Sequence, residues 1–193
     1  STQDMGLDLA GVQVHDDDRV VVDEHGRTTA DGVWSLGDAS SPFQLKHVAN
    51  HEARVVAHNL AHTDDLQSFT HTAVPAAVFT HPQIASVGLT EEEAREQGLD
   101  VRVKVQQYGD TAYGWAMEDS QGFVKLVARK DTGELLGAHI IGPEAGEMIH
   151  EAAITMAFGG ASEDIARTCH AHPTRSEAVR QAAMDVEGWM MQA

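Results

Sequence analysis

Gly122-Phe123-Val124-Lys125-Leu126-Val127-Ala128-Arg129-Lys130-Asp131-Thr132-Gly133-Glu134-Leu135-Leu136-Gly137-Ala138-His139-Ile140-Ile141 reads as two strands and the turn that joins them. Branched and apolar residues fill both halves, and Lys130-Asp131-Thr132-Gly133 supplies turn formers between them, so 122–129 and 134–141 are expected to pair as an antiparallel hairpin. Working upstream, 101–108 alternates as a third strand. Thr90 with Glu93 forms a capping-box pattern for a helix that Gly98 ends. Two short strands, 75–79 and 85–88, flank Thr80-His81-Pro82-Gln83. Downstream, helical periodicity appears over 147–158, 162–168 (with Ser162 as its cap) and 176–190. The predicted fold class is α+β: a small antiparallel sheet flanked by helices, gathered on one face.

Residues 1–72 follow a different pattern. Val20-Val21-Val22-Asp23 and Gly32-Val33-Trp34-Ser35-Leu36-Gly37-Asp38 read as strands, with a turn at Gly26 between them. A helix is expected over 45–60 on the apolar positions Val48, Ala49, Ala53, Val55, Val56 and Leu60, with His51, Glu52, Arg54, His58 and Asn59 mostly between them. The polar stretch 61–72 marks the boundary, giving units of 1–72 and 73–193.

Composition removes several function classes. With 13 Lys+Arg against 30 Asp+Glu the formal charge is −17, so no basic face for nucleic acid is expected. Apolar runs are far shorter than the ~20 residues that span a bilayer, so no membrane association is expected. One cysteine, Cys169, makes no internal disulfide; it reads as a packing residue, and with no signal peptide the expected location is cytoplasmic. Twelve histidines invite a metal reading. His47, His51 and His58 stand at i, i+4 and i+11 on one predicted helix, but no further ligand falls at suitable spacing; they are read as surface residues and no metal is expected.

One histidine stands apart, in Cys169-His170-Ala171-His172-Pro173-Thr174-Arg175-Ser176-Glu177. A histidine that exchanges protons with a thiol needs its tautomer fixed by a carboxylate. Glu177, five residues on across a turn and a helix start, can supply one.

This string resembles the C-terminal signature of the flavin-dependent pyridine-nucleotide disulfide oxidoreductases. Gly32–Asp38 and Leu45-Lys46-His47-Val48-Ala49 resemble that family's second FAD motif and its flavin-contacting helix start. Residues 78–91 resemble the opening of its interface domain. The resemblance implies that 1–72 is the C-terminal segment of an FAD-binding domain, and that 73–193 is the interface (dimerisation) domain. It further implies FAD at a partial site of Gly37, Asp38, Leu45, Lys46 and His47, with Asp38 accepting from the ribityl chain. His172 becomes the catalytic base, oriented by Glu177, beside a cis His172-Pro173 bond.

The implied whole is a homodimer, joined through 73–193, that reduces a low-molecular-weight disulfide. Electrons come from NADPH or NADH, whose site is absent here, and His172 protonates the departing thiolate in the other subunit's site. Met148, Ile149, Ile154 and Met156 are the expected dimer-surface residues. Residues 40–54 and 108–119 most resemble the mycothione reductases, and 161–183 the dihydrolipoamide dehydrogenases. Arg175 replaces a usually apolar residue and is expected to point to solvent. The family's paired redox cysteines and Gly-rich phosphate loops are missing, so the chain is expected to be a C-terminal part, inactive alone. The alternatives are the C-terminal part of a dihydrolipoamide dehydrogenase, or a free-standing, non-catalytic dimerisation module with half a cofactor site.

Overall fold

The computed structural model describes residues 2–189. The chain divides into two compact units, Ser1–His71 and Thr72–Ala193, each taken here by itself.

The first unit contains one long helix, α1 (Lys46–Ala61). Its buried positions are Val48, Glu52, Val55, Val56 and Asn59, a stripe at i, i+4, i+7, i+8 and i+11. Two of the five are polar, a departure from the sequence expectation that Glu52 and Asn59 lie between the apolar positions. Conversely Leu60, expected on the apolar face, is exposed. Asn59 is buried because it staples two loops: its Nδ2 donates to the His25 and Gln67 carbonyls at 2.9 Å each, and its Oδ1 accepts from Gln67 N–H at 2.7 Å.

The strands expected at 20–23 and 32–38 do not form. Only isolated bridges occur, Val14 with Val20, Val22 with Thr28 and Arg27 with Trp34. The cause lies in the pairing: Val20 N–H donates to Ala39 O, whereas Val21 N–H donates to Gln13 O, so successive residues bond different segments and no ladder propagates. Asp23 then turns the chain, accepting from the N–H groups of His25 and Arg27.

The second unit is built on five strands: β1 (Ala76–Val78), β2 (Gln83–Gly88), β3 (Val101–Gln107), β4 (Phe123–Arg129) and β5 (Leu135–Gly142). All pairings are antiparallel in the order β1-β2-β5-β4-β3. The β4–β5 hairpin is central, and the Lys130–Gly133 turn closes through Gly133 N–H to Arg129 O. Residues of period two, Val124, Leu126 and Ala128, face the main core. There they meet α4 (Ala145–Ala157), α5 (Ser162–Arg167) and α6 (Ser176–Val186). The opposite face is covered as well, a correction to the one-faced expectation. Val127, Leu136 and Val101 pack there against Ala94 of α2 (Glu91–Glu96), whose Thr90–Glu93 capping box is formed.

Three local expectations change. Ser162 is not a cap: Ala161 holds that position, and the buried Ser162 hydroxyl donates instead to Gly133 O and Glu187. A short helix, α3 (Ala112–Ala116), lies in 108–119 and was not anticipated. Helix α6 ends at Val186, and the expected terminus at Met190 lies outside the described residues.

Gly88 takes φ +74°, and a Cβ there would stand 2.2 Å from Leu136 O and 2.4 Å from Met156 Cε. Gly88→Ala is therefore expected to destabilise this unit by about 2–4 kcal/mol, combining backbone strain with overpacking. Urea denaturation followed at core methyl NMR signals measures it.

Met148 and Ile149, expected at a dimer surface, are buried in the core of this unit. Helix α4 turns 148, 149, 152 and 153 inward, which leaves Ile154 (60% exposed) and Phe158 (87%) outside and Met156 half-buried. Among the described residues no helix is long and apolar enough to cross a membrane.

Candidate active site

The nine-residue string 169–177 runs from the end of α5 into the first turn of α6. Helix α6 is anchored by Ala178, Val179, Ala182, Ala183 and Val186, all buried, so Glu177 projects from a fixed helix start, where a carboxylate is favoured by the helix dipole. The His172-Pro173 bond is cis, as the resemblance implies. Thr174 bonds its hydroxyl back to Ala171 O at 2.8 Å and its N–H to Glu177 Oε2 at 2.9 Å. The second carboxylate oxygen, Oε1, meets His172 Nδ1 at 2.9 Å.

Glu177 thus spends both oxygens on this loop. Partial burial opposes its charge, but the Thr174 N–H, the His172 hydrogen bond and the His172 and His170 charges outweigh burial and hold the carboxyl below its ordinary value of 4.5. An ionised carboxylate only accepts, so Nδ1 carries a proton and Nε2 is the nitrogen open to proton exchange. The His172 side chain is 66% exposed, against 18% for Glu177: the orienting group is sheltered while the imidazole is accessible.

The sign of the Glu177 effect fixes a pH dependence. Because its folded value is depressed, its contribution to stability is present above about pH 4.5 and is lost as pH falls through the lowered value. The wild-type chain is expected to lose melting temperature more steeply than Glu177→Gln in that acid window, with the two converging below it; differential scanning fluorimetry across pH checks this.

Two further features surround the pair. His170 is nearly buried, with Nδ1 against Thr168 O at 2.9 Å and Nε2 against Glu151 of α4 at 3.1 Å. Arg175 does not point to solvent as expected. Its side chain is only 13% exposed, it pairs with Glu144 at 2.9 Å, and it lies 4.9 Å over the Tyr113 ring of α3. A carboxylate and an aromatic face together draw the guanidinium inward. Neither Glu144 nor Tyr113 stood out in the sequence, because both lie far from residue 175 along the chain. Cys169, expected to pack, is exposed; the apolar positions of α5 that enter the core are Ile165 and Ala166.

In the first unit, Gly37 and Asp38 open a single 3-10 turn, Gly37–Ala39. Gly37 is buried at φ +64°, and a Cβ there would stand 3.1 Å from Ala49 Cβ, so the turn rests on the first turns of α1. Asp38 is exposed. Leu45, half-buried and extended, precedes α1 without a side-chain cap; Lys46, exposed, bonds Asn50, and His47 is exposed. Ser40 Oγ is buried with no hydrogen-bond partner among the described residues. An exposed carboxylate, a helix start lacking a side-chain cap and an orphaned hydroxyl give this edge the acceptors and donors that a polar cofactor chain requires.

Residues missed by the sequence reading complete the edge. Glu52, 1% exposed, accepts from Gly37 N–H at 2.6 Å and bonds His71 Nε2 at 2.8 Å. Its place in the α1 stripe, four residues after Val48, was the available signal. The histidines weighed as metal ligands have other partners: His51 Nε2 accepts from Thr70 N–H, and His58 stacks on His62 at 4.4 Å. Among the described residues no group of three or more His, Cys, Asp or Glu is arranged to hold a metal ion.

Comparison with known proteins gives the relationship. Residues 74–183 match the family model described as pyridine nucleotide-disulphide oxidoreductase, dimerisation domain. Mycothione reductase of Mycobacterium tuberculosis is 54% identical over 185 residues, covering 93% of this chain and 40% of that protein. Mitochondrial dihydrolipoyl dehydrogenase of Pisum sativum is 40% identical over 187 residues, covering 95% and 36%. The chain therefore spans about two fifths of the length of these relatives. Among solved structures, LpdA of Mycobacterium tuberculosis superposes with TM-score 0.85 at 28% identity, over 96% of this chain and 40% of that one. The HOCl-induced flavoprotein disulfide reductase RclA of Escherichia coli gives 0.85 at 27%, over 95% and 42%. The chain belongs to the pyridine nucleotide-disulphide oxidoreductase family and carries that family's dimerisation domain.

Proposed function

We propose that this chain is the dimerisation half and part of the FAD site of a homodimeric flavoprotein disulfide reductase, acting on mycothione disulfide with NADPH. The observation that carries the reading is the His172–Glu177 pair, with Glu177 fixed by Thr174 N–H and Nε2 of His172 left for proton exchange. The 54% identity to a mycothione reductase supports the substrate, against 40% to a dihydrolipoyl dehydrogenase.

The chemistry of this chain's own residues follows from that geometry. When a thiolate attacks one sulfur of a disulfide, the S–S bond breaks and the other sulfur leaves as thiolate. His172, protonated on Nε2, delivers that proton to the leaving sulfur, which departs as thiol. Glu177 holds the ring through Nδ1–H and stabilises the imidazolium. The attacking thiolate comes from outside these 193 residues, whose one cysteine, Cys169, has no neighbouring thiol. FAD, when bound, supplies the two-electron link between the nicotinamide and that thiol pair. Residues 37, 38 and 45–47 hold it: Gly37 allows close approach, Asp38 accepts from a cofactor hydroxyl, and Leu45, Lys46 and His47 present backbone at the α1 start. Cytoplasmic placement is proposed on the same footing.

The test is NADPH oxidation by the full-length protein with mycothione disulfide and with lipoamide as competing substrates. Turnover of mycothione disulfide is expected; turnover of lipoamide alone overturns the substrate. Asp38→Ala is expected to lower the flavin-to-protein ratio after gel filtration without changing the dimer's elution position.

A further inference from the structure

We propose that Glu52, backed by His71, is the positioning residue that locks the Gly37–Asp38 turn onto helix α1 and so sets the cofactor-binding edge; this rests on the FAD reading given above. A carboxylate 1% exposed is unfavourable unless both oxygens are bonded, and here both are. Oε2 takes the Gly37 N–H at 2.6 Å, and Oε1 takes His71 Nε2 at 2.8 Å. His71 is itself held between rings, 5.0 Å from Phe43 and 5.8 Å from Phe69.

The bond to Gly37 matters because of what that residue joins. Its carbonyl already accepts from Ser40 N–H at 2.9 Å and Ser41 N–H at 2.7 Å, which closes the turn around Asp38. The remaining backbone polar group of Gly37, its N–H, goes to α1. Glu52 lies two helical turns beyond Leu45, on the helix whose start carries the second candidate flavin segment. One carboxylate therefore fixes two segments, 37–38 and 45–47, that the chain separates by residues 39–44. Phe43, in the connecting loop, touches the same histidine, so loop, turn and helix share one network around the buried Glu52 carboxylate.

Packing alone does not account for Glu at this position. Methionine fills similar volume but leaves the Gly37 N–H buried and unpaired; glutamine keeps an acceptor there. This separates a positioning role from a filling role. Amide hydrogen exchange of the 193-residue chain is read by NMR at Gly37, with Val55 and Val56 of α1 as internal references. Glu52→Met is expected to speed Gly37 exchange roughly tenfold or more with the references unchanged, the size of one lost buried hydrogen bond, and Glu52→Gln to return it to within a few-fold of wild type. Equal exchange in the Met and Gln variants, or unchanged protection in the Met variant, overturns the proposal. If Glu52→Met loosens all of α1, His71→Phe decides: faster Gly37 exchange supports the clamp, and wild-type exchange overturns it.

Flavin retention by the full-length protein completes the test. Loss of FAD in Glu52→Met with rescue in Glu52→Gln is expected, and full retention in the Met variant overturns the positioning role while leaving the FAD reading intact. A wild-type protein that never holds FAD removes the FAD reading and with it the cofactor role, whereas the Gly37 exchange data still report on the clamp itself.

Discussion

Replacing His172 with Gln in the full-length enzyme is expected to slow steady-state disulfide reduction by about two to four orders of magnitude, the usual range for a lost general acid. Glutamine preserves a hydrogen bond to Glu177 but has no group that gains and loses a proton near neutral pH, so the geometry survives while the chemistry does not. Glu177→Gln is expected to cost less, because the imidazole remains; what is lost is the fixed tautomer and the stabilised cation. The ordering of the two variants distinguishes proton transfer from simple loop support. If His172 only shaped the 169–177 loop, Glu177→Gln, which leaves a single acceptor for the two donors Thr174 N–H and His172 Nδ1–H, would be the more damaging change.

Tyr108→Ala is expected to destabilise the second unit by about 3–5 kcal/mol, the range for deleting a large buried ring. The ring is 1% exposed and lies where side chains at Gly122 and Gly142 would clash with it, at 2.5 Å and 2.7 Å. Its hydroxyl donates to Met148 Sδ at 3.1 Å, and burial pushes its own ionisation upward, so it remains neutral. Tyr108→Phe removes only the hydroxyl, which lies within reach of Met148 Sδ and the Pro143 carbonyl, and is expected to cost about 1 kcal/mol. Urea titration read at the Val124 and Leu126 methyl signals separates the two. The larger loss reaches the candidate site as well. Thr111 bonds its hydroxyl to Tyr108 O and caps α3, whose Tyr113 lies under Arg175, two residues before Glu177. Broadened signals at Tyr113 and Arg175 are expected in the Ala variant.

The second unit was readable from its sequence wherever neighbouring residues decide the structure. The hairpin at 130–133, the Thr90–Glu93 box and the His172–Glu177 spacing are local, and each appears at or near the expected residues. What escaped depends on partners distant along the chain. Arg175 turns inward because Glu144 and Tyr113 wait for it. Met148 and Ile149 are buried because α4 presents that face to the sheet, which amphipathicity alone does not orient. In the first unit, reading the strands from Val20-Val21-Val22 failed because β propensity needs a continuous neighbour, and here each residue bonds a different segment. Glu52, expected between the apolar positions of the helix, in fact completes the buried stripe of α1.

The central claim, that His172 is the proton donor of the disulfide step, is tested most directly by stopped-flow separation of the two half-reactions in full-length His172→Gln. The account predicts flavin reduction by NADPH at the wild-type rate, with reoxidation by the disulfide substrate slowed by about two orders of magnitude or more. Equal slowing of both half-reactions, or wild-type reoxidation, would contradict it.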